Sequence, residues 1–293
     1  MRISKTREEK IIAVIVYITL GLFALSTLYP FINILAKAFS SYEANITGRI
    51  FMIPEGFQVQ TMKNVVLKQQ FWKALWVSLR IAVCGTALSL LLSGMAAYAL
   101  SRPRLHGRSF FTVAFVFTMM FSGGMVPTYI VVRELGLLNT LWAVILPNAI
   151  SVYNMLIMKS AFESISPSLE ESAKIDGASN FTVFWRIMLP VVMPTIAAVS
   201  LFFAVGFWNE YWSAMLYITK NDLKPIQLYL LDIVNFAMDT SNINTAEGLM
   251  ALTDAPQAIR AATIIAATIP VLLVYPFVQK YFVKGVMIGS VKE

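Results

Sequence analysis

The chain of 293 residues is 58% hydrophobic and only 13% charged, with a formal charge of +7 and a mean hydropathy of +0.69. An ordinary soluble domain is roughly 45–50% apolar and 25% charged, so this composition excludes one and points to an integral membrane protein. The single cysteine, Cys84, excludes a disulfide within the chain, and a lone histidine, His106, argues against a metal site or a Cys/His catalytic pair.

Six uncharged runs reach spanning length: 11–36, 81–101, 109–132, 135–158, 187–209 and 261–279. Each meets the roughly 20 residues that a helix needs to cross hydrocarbon. The first follows Arg2, Lys5 and Arg7 but is too long for a secretory h-region, so it is read as an uncleaved span. Basic residues near span ends set orientation: the short 102–108 connection carries Arg102, Arg104 and Arg108, the short 133–134 connection only Arg133. Both termini and the 159–186 segment are then expected in the cytoplasm. The basic residues are scattered among span ends rather than gathered on one face, which makes the positive charge a topology signal and not a nucleic-acid footprint.

Residues 37–80 form a mixed segment, expected outside, with Pro54-Glu55-Gly56 as its turn and Trp72 and Trp76 near its end. The second span holds Gly85, Gly94, Ala96 and Ala97, small residues that let helices approach closely. A straight third span is not expected, because Phe121-Ser122-Gly123-Gly124-Met125-Val126-Pro127 interrupts it. Pro147-Asn148 punctuates the fourth span, Pro190 and Pro194 the fifth, Pro270 and Pro276 the sixth. Broken helices at membrane depth need their freed backbone groups satisfied by protein or water, which predicts a bundle lining a cavity.

Between the fourth and fifth spans the chain is readable in detail. Ser166-Pro167 is an N-cap and first-turn pair, and Ser168-Leu169-Glu170-Glu171 offers a capping box half a turn later. In the helix that follows, Leu169, Ala173 and Ser172 share a face small enough for a partner's groove to close over it. Gly177 can end the helix in the left-handed conformation, and Ser179 or Asn180 can cap a second helix carrying Phe181, Phe184, Trp185 and Met188. Helix, glycine turn and aromatic helix make a stiff lever able to carry a push into the spans. Glu171 and Asp176 lie across a helix end with no histidine or metal ligand beside them, which is not a catalytic pair.

The fifth span ends in Trp208-Asn209-Glu210-Tyr211-Trp212, a carboxylate between two indoles. Aromatic faces that stack on sugars, with Asn209 and Glu210 binding hydroxyls, give one reading; an interfacial aromatic belt with Glu210 on a structural partner gives the other. From 211 to 260 the chain is polar, with Asp222, Asp232, Asp239, Glu247 and Asp254 against Lys220, Lys224 and Arg260, and long enough to cover the outer mouth and receive a soluble receptor. No G-x-x-x-x-G-K-[ST], H-E-x-x-H or G-x-S-x-G occurs. Catalysis by this chain is not expected, and any energy-converting domain belongs on another polypeptide.

Glu171-Ser172-Ala173-Lys174-Ile175-Asp176-Gly177, followed by Ile187-Met188-Leu189-Pro190, resembles the coupling loop of bacterial ABC importer permeases, with Ser172 where that family more often has Ala. Together with the six spans, Trp208-Asn209-Glu210 and the tail Tyr281-Phe282-Val283-Lys284-Gly285, nearly the whole chain is similar to permeases of the carbohydrate-uptake, maltose-type family. The resemblance implies an all-α polytopic membrane helix bundle of six transmembrane helices with the type I ABC importer permease fold. Its parts would be an N-terminal span and external segment (1–80), a permease core (81–286) with a cytoplasmic coupling loop (159–189), and a cytoplasmic tail (287–293). Ser122–Tyr129 resembles a subgroup associated with complex or acidic oligosaccharides such as alginate and pectin fragments.

The family further implies a bacterial inner-membrane heterodimer with a sister permease, two ATP-binding subunits and an extracytoplasmic solute-binding protein. ATP and Mg would sit on the partner ATPase subunits, with no cofactor on this chain. By resemblance Glu171, Ala173 and Gly177 are ATPase-docking positions, and with Glu170, Ser172 and Asp176 they form the candidate coupling site; Trp208, Asn209, Glu210, Tyr211 and Trp212 are the candidate substrate pathway. The alternative function is an ion-driven secondary transporter working through Glu210. It would call for more intramembrane ionisable groups and an inverted repeat, neither of which is found.

Overall fold

The computed structural model describes residues 7–236 and 255–290, with 274–290 as backbone alone, and every regular element among them is helical. Asp239, Glu247 and Asp254 of the expected outer segment, Arg2 and Lys5, and 291–293 of the tail lie outside the described residues. In chain order the helices are α1 (Arg7–Ala38), α2 (Tyr42–Thr47), α3 (Gln60–Val66), α4 (Gln69–Ser101), α5 (Arg108–Met120), α6 (Met125–Glu134), α7 (Leu141–Asn148) and α8 (Val152–Glu163). They continue as α9 (Pro167–Ile175), α10 (Asn180–Val191), α11 (Met193–Asn209), α12 (Trp212–Tyr217), α13 (Ile226–Phe236) and α14 (Pro256–Ser290).

Each expected span has its counterpart. Three are continuous apolar helices, in α1, α4 and α14; the other three are bent pairs, α5 with α6 at 111°, α7 with α8 at 53° and α10 with α11 at 83°, so the count is six when each pair is one span. The breaks fall where the backbone chemistry demands them. Gly124, at φ +89°, lies between α5 and α6, a conformation that side chains with a Cβ rarely adopt. Ser151 caps α8 by accepting from Asn154 N–H at 3.3 Å, while the Asn148 amide donates back to Val144 O at 3.0 Å. Pro194 sits in the first turn of α11, where a missing N–H costs nothing.

Two expectations fail. Pro270 and Pro276 do not interrupt the sixth span, since α14 runs through both; in an apolar setting the helix remains the one local solution for the backbone groups on either side. The second span starts at Gln69 rather than 81, so Trp72, Lys73, Trp76 and Arg80 are helical instead of belonging to an external segment. A search for uncharged runs stops at Arg80, whereas a long cationic side chain near a helix end can reach the interface without breaking the helix.

The chain divides into two compact units, 1–69 with 230–269 and 70–229 with 270–293. In the first, amide and hydroxyl side chains fold the segment after α1. Asn45 donates to Lys37 O, Ser40 O and Ser41 O, and Asn33 donates to Ile50 O and Phe51 O, around the small apolar cluster Ala36, Ala44 and Ile50. In the second, the glycines of α4 work as the sequence predicts. A Cβ on Gly85 would lie 2.7 Å from the Phe207 ring of α11, and one on Gly94 would lie 3.2 Å from Met158 of α8. Close approach of α4 to both helices therefore depends on those two positions.

Candidate functional site

The segment from the end of α8 to the start of α11 is an elbow. Ser166 and Pro167 open α9. At its other end Gly177 takes φ +82°, Ala178 N–H reaches Ala173 O at 3.0 Å and Gly177 N–H reaches Lys174 O at 3.0 Å. That pair of bonds, six-to-one around five-to-two, is a Schellman turn, and it satisfies carbonyls that the helix end would otherwise leave open. Ser179 then caps α10 by accepting from Thr182 N–H at 3.2 Å. Within α10, Val183–Met188 is wound as a π-helix that buries Val183, Phe184 and Met188, just ahead of Pro190.

The two faces of α9 differ in kind. Glu170 and Ala173 are buried; Leu169, Glu171, Ser172, Asp176 and Gly177 are exposed, and Ile175 is 86% exposed. The face expected to join Leu169, Ala173 and Ser172 is thus split. Ala173 follows Glu170 by three residues and turns inward with it, while Ser172 and Ile175 continue the outward row begun by Leu169. Phe181, at the head of α10, is also exposed, at 71%.

Glu170 is held by three cations. Its Oε2 is 2.8 Å from Arg102 Nη1, and its Oε1 is 2.5 Å from Arg104 Nη1 and 2.9 Å from Lys174 Nζ. Arg102 and Glu170 are 7% and 6% exposed. The same Arg102 guanidinium donates to Phe162 O at 2.7 Å and to Ser101 Oγ at 2.9 Å, and lies 5.1 Å from the centroid of the Tyr98 ring. Beneath it the rings of Tyr98, Phe162 and Phe184, from α4, α8 and α10, stand 5.1–6.2 Å apart. Arg104 also donates to Asn180 Oδ1 at 3.0 Å, and Arg108 pairs with Glu163, which Lys159 reaches at 2.8 Å. Removing one partner of the buried Arg102–Glu170 pair costs about 3–5 kcal/mol, whereas the exposed arms on Arg104 and Lys174 contribute about 0–1 kcal/mol each.

These arginines were legible in the sequence only as a topology signal. The available sign of a charge network was three arginines within seven residues after a span, with Glu163 and Glu170 two connections further on; a reading along the chain does not bring the two loops together.

The C-terminal end of α11 is organised by hydrogen bonds rather than ion pairs. Glu210 is extended, and its Oε1 accepts from Ser213 N–H at 2.8 Å, capping α12. Ser213 Oγ accepts from the Asn148 amide at 3.1 Å. Asn139, at φ +59°, accepts from Thr219 N–H, Thr219 Oγ1 and Lys220 N–H through one oxygen at 2.7–3.1 Å, and donates its own N–H to Tyr217 O. Burial pushes the Tyr217 phenol above its ordinary value, and the Glu210 carboxylate adds to the shift. Of the candidate pathway residues, Asn209, Tyr211 and Trp212 are exposed, while Trp208 and Glu210 are half-buried.

A family profile for the binding-protein-dependent transport system inner membrane component matches residues 9–288. The polygalacturonan/rhamnogalacturonan transport system permease of Bacillus subtilis is 43% identical over 287 residues, covering 97% of this chain and 99% of that protein. Protein LplC of the same organism is 41% identical, covering 98% and 97%. Among solved structures, a bacterial ABC transporter involved in import of the acidic polysaccharide alginate has a chain that superposes with a TM-score of 0.87 at 33% identity, covering 96% of this chain and 99% of its own.

Proposed function

The chain belongs to the binding-protein-dependent transport system inner membrane components, and on that premise we propose that it is the permease subunit of an ATP-driven importer of acidic or complex oligosaccharides, pectin-derived or alginate-like. It forms half of the translocation pathway, beside a sister permease. Two ATP-binding subunits, carrying ATP and Mg, hydrolyse nucleotide on the cytoplasmic side, and an extracytoplasmic binding protein delivers the saccharide. Both termini and the elbow face the cytoplasm.

One observation carries the coupling role. The elbow buries Glu170 against Arg102 yet leaves Leu169 and Ile175 exposed on α9, in the polar stretch between the fourth and fifth spans, with Glu171 beside them; exposed apolar surface on a polar loop marks a partner's footprint. Glu171, Ser172, Asp176 and Gly177 lie on that accessible side, while Glu170 and Ala173 support it from below. The substrate class rests on one relative named for polygalacturonan/rhamnogalacturonan transport and one involved in import of the acidic polysaccharide alginate, and on the exposed rings of Tyr211 and Trp212 beside Asn209. The ion-driven alternative lacks support, since Glu210 is occupied as a helix cap.

The test is reconstitution in proteoliposomes with the sister permease, ATP-binding subunits and binding protein. Oligogalacturonate is expected to stimulate ATP hydrolysis and to accumulate inside. Ile175→Asp should weaken retention of the ATP-binding subunits by on the order of 30-fold, the size of an interface hot spot of about 2 kcal/mol. Uptake that persists without the ATP-binding subunits would refute the proposal.

A further inference from the structure

Glu170 and Glu171 are adjacent and live in opposite surroundings. Glu171 is exposed, free to face a docked subunit, whereas Glu170 is buried under Arg102 and cannot. The buried carboxylate needs a different role. Arg102 follows the last residue of α4 and joins three pieces of chain at once: Ser101 at its own helix end, Phe162 O in the last turn of α8, and Glu170 in the first turn of α9. Arg104 extends the connection to Asn180 at the head of α10, and Arg108 to Glu163 at the end of α8. A planar guanidinium serves several such acceptors in fixed directions; an ammonium group would hold one point with no orientation. The Tyr98, Phe162 and Phe184 rings fill the space below, so the joint is packed as well as charged.

We infer that Arg102 and Glu170 are positioning residues that clamp the elbow to the end of α4, so that α4 moves with the elbow as one rigid piece when the ATP-binding subunits close. The inference rests on the importer reading and deepens it. A subunit docked on the exposed side of α9 pushes the elbow, and the clamp carries that displacement directly into the second span, by a route separate from the covalent one through α10 to α11. Along α4 the displacement reaches Gly85, on the order of 25 Å away at the helical rise per residue. There the glycine lies against Phe207 of α11, so both routes converge on the helix that ends in the candidate saccharide pathway.

The experiment uses the full importer in lipid nanodiscs, in a Cys84→Ser background with spin labels on His106→Cys and Ser168→Cys, both exposed positions. The expected result is one narrow label distance, the same without nucleotide and with ATP and EDTA. Glu170→Gln should broaden that distribution and reduce oligogalacturonate transported per ATP about tenfold while the ATP-binding subunits still copurify; Glu170→Asp should recover part of the loss. If Glu170→Gln does not assemble, the pair Arg102→Met with Glu170→Met removes both buried charges together, a replacement that buried ion pairs tolerate, and should assemble yet remain uncoupled. A label distance that changes by about one helical turn, roughly 5 Å, on ATP binding would overturn the clamp, as would wild-type stoichiometry in Glu170→Gln or in the double variant. A wild-type complex that hydrolyses no ATP in response to oligogalacturonate or alginate fragments would count instead against the importer reading.

Discussion

The elbow and the C-terminal end of α11 both combine aromatic rings with a carboxylate, and they use them in opposite ways. At the elbow, Glu170 is surrounded by Arg102, Arg104 and Lys174 and buried over an aromatic floor. At the end of α11, Glu210 meets a backbone N–H, and the rings of Tyr211 and Trp212 stay open. A part that transmits force has to resist deformation, and a buried charge network does so because any misalignment leaves an ion without its partner. On the proposed function, the end of α11 has to release a large hydrated substrate, and rings left open to one side can bind and release it without rearranging a charge network.

Three variants test how deep this contrast goes. Arg102→Met should have the largest effect, a loss of about 3–5 kcal/mol from leaving Glu170 short of its main partner, read as a lower temperature of irreversible inactivation in lipid. Retention of wild-type stability would mean that Arg104 and Lys174 suffice and that the elbow is no more rigid than the end of α11. Gly177→Val is intermediate: the φ of +82° should cost about 1–2 kcal/mol in a residue with a Cβ, while the space around the position is open. Its signature is lowered transport per ATP with normal membrane insertion, and Gly177→Asn, which tolerates left-handed backbone, should restore most of it. Glu210→Gln should be the mildest, at most about 1 kcal/mol, because the amide oxygen can still accept from Ser213 N–H. Uptake near wild type would confirm that this carboxylate is a cap; a collapse of uptake with basal ATP hydrolysis intact would instead make Glu210 a pathway residue and bring the two regions closer in kind.

Much of this was legible along the chain, because it depends on local chemistry. Hydropathy over about 20 residues identified the six spans, and Gly123-Gly124, Pro147 and Pro190 with Pro194 located three of the breaks. Gly177 and Ser179 set the elbow's turn and second helix through the backbone groups they satisfy, and Pro167 marked the start of α9, although the Ser166 hydroxyl meets Ser168 Oγ at 2.8 Å instead of capping a backbone N–H. The prolines of α14 misled for the same reason: a local rule says that proline ends a helix, and the apolar surroundings outweighed it. Likewise the charged residues at the head of α4 hid the true start of that helix from a search for uncharged runs.

What the sequence by itself determined was the membrane class, the helical architecture, and the place of the elbow between the fourth and fifth spans. Only the tertiary structure decided which carboxylate is buried and which is exposed, that Arg102 and Glu170, 68 positions apart, form one pair, and that Ala173 faces inward. The physical reason is that hydropathy and capping act over a few residues, whereas the partner of a charge is fixed by how separate helices pack, and that distance is not written along the chain.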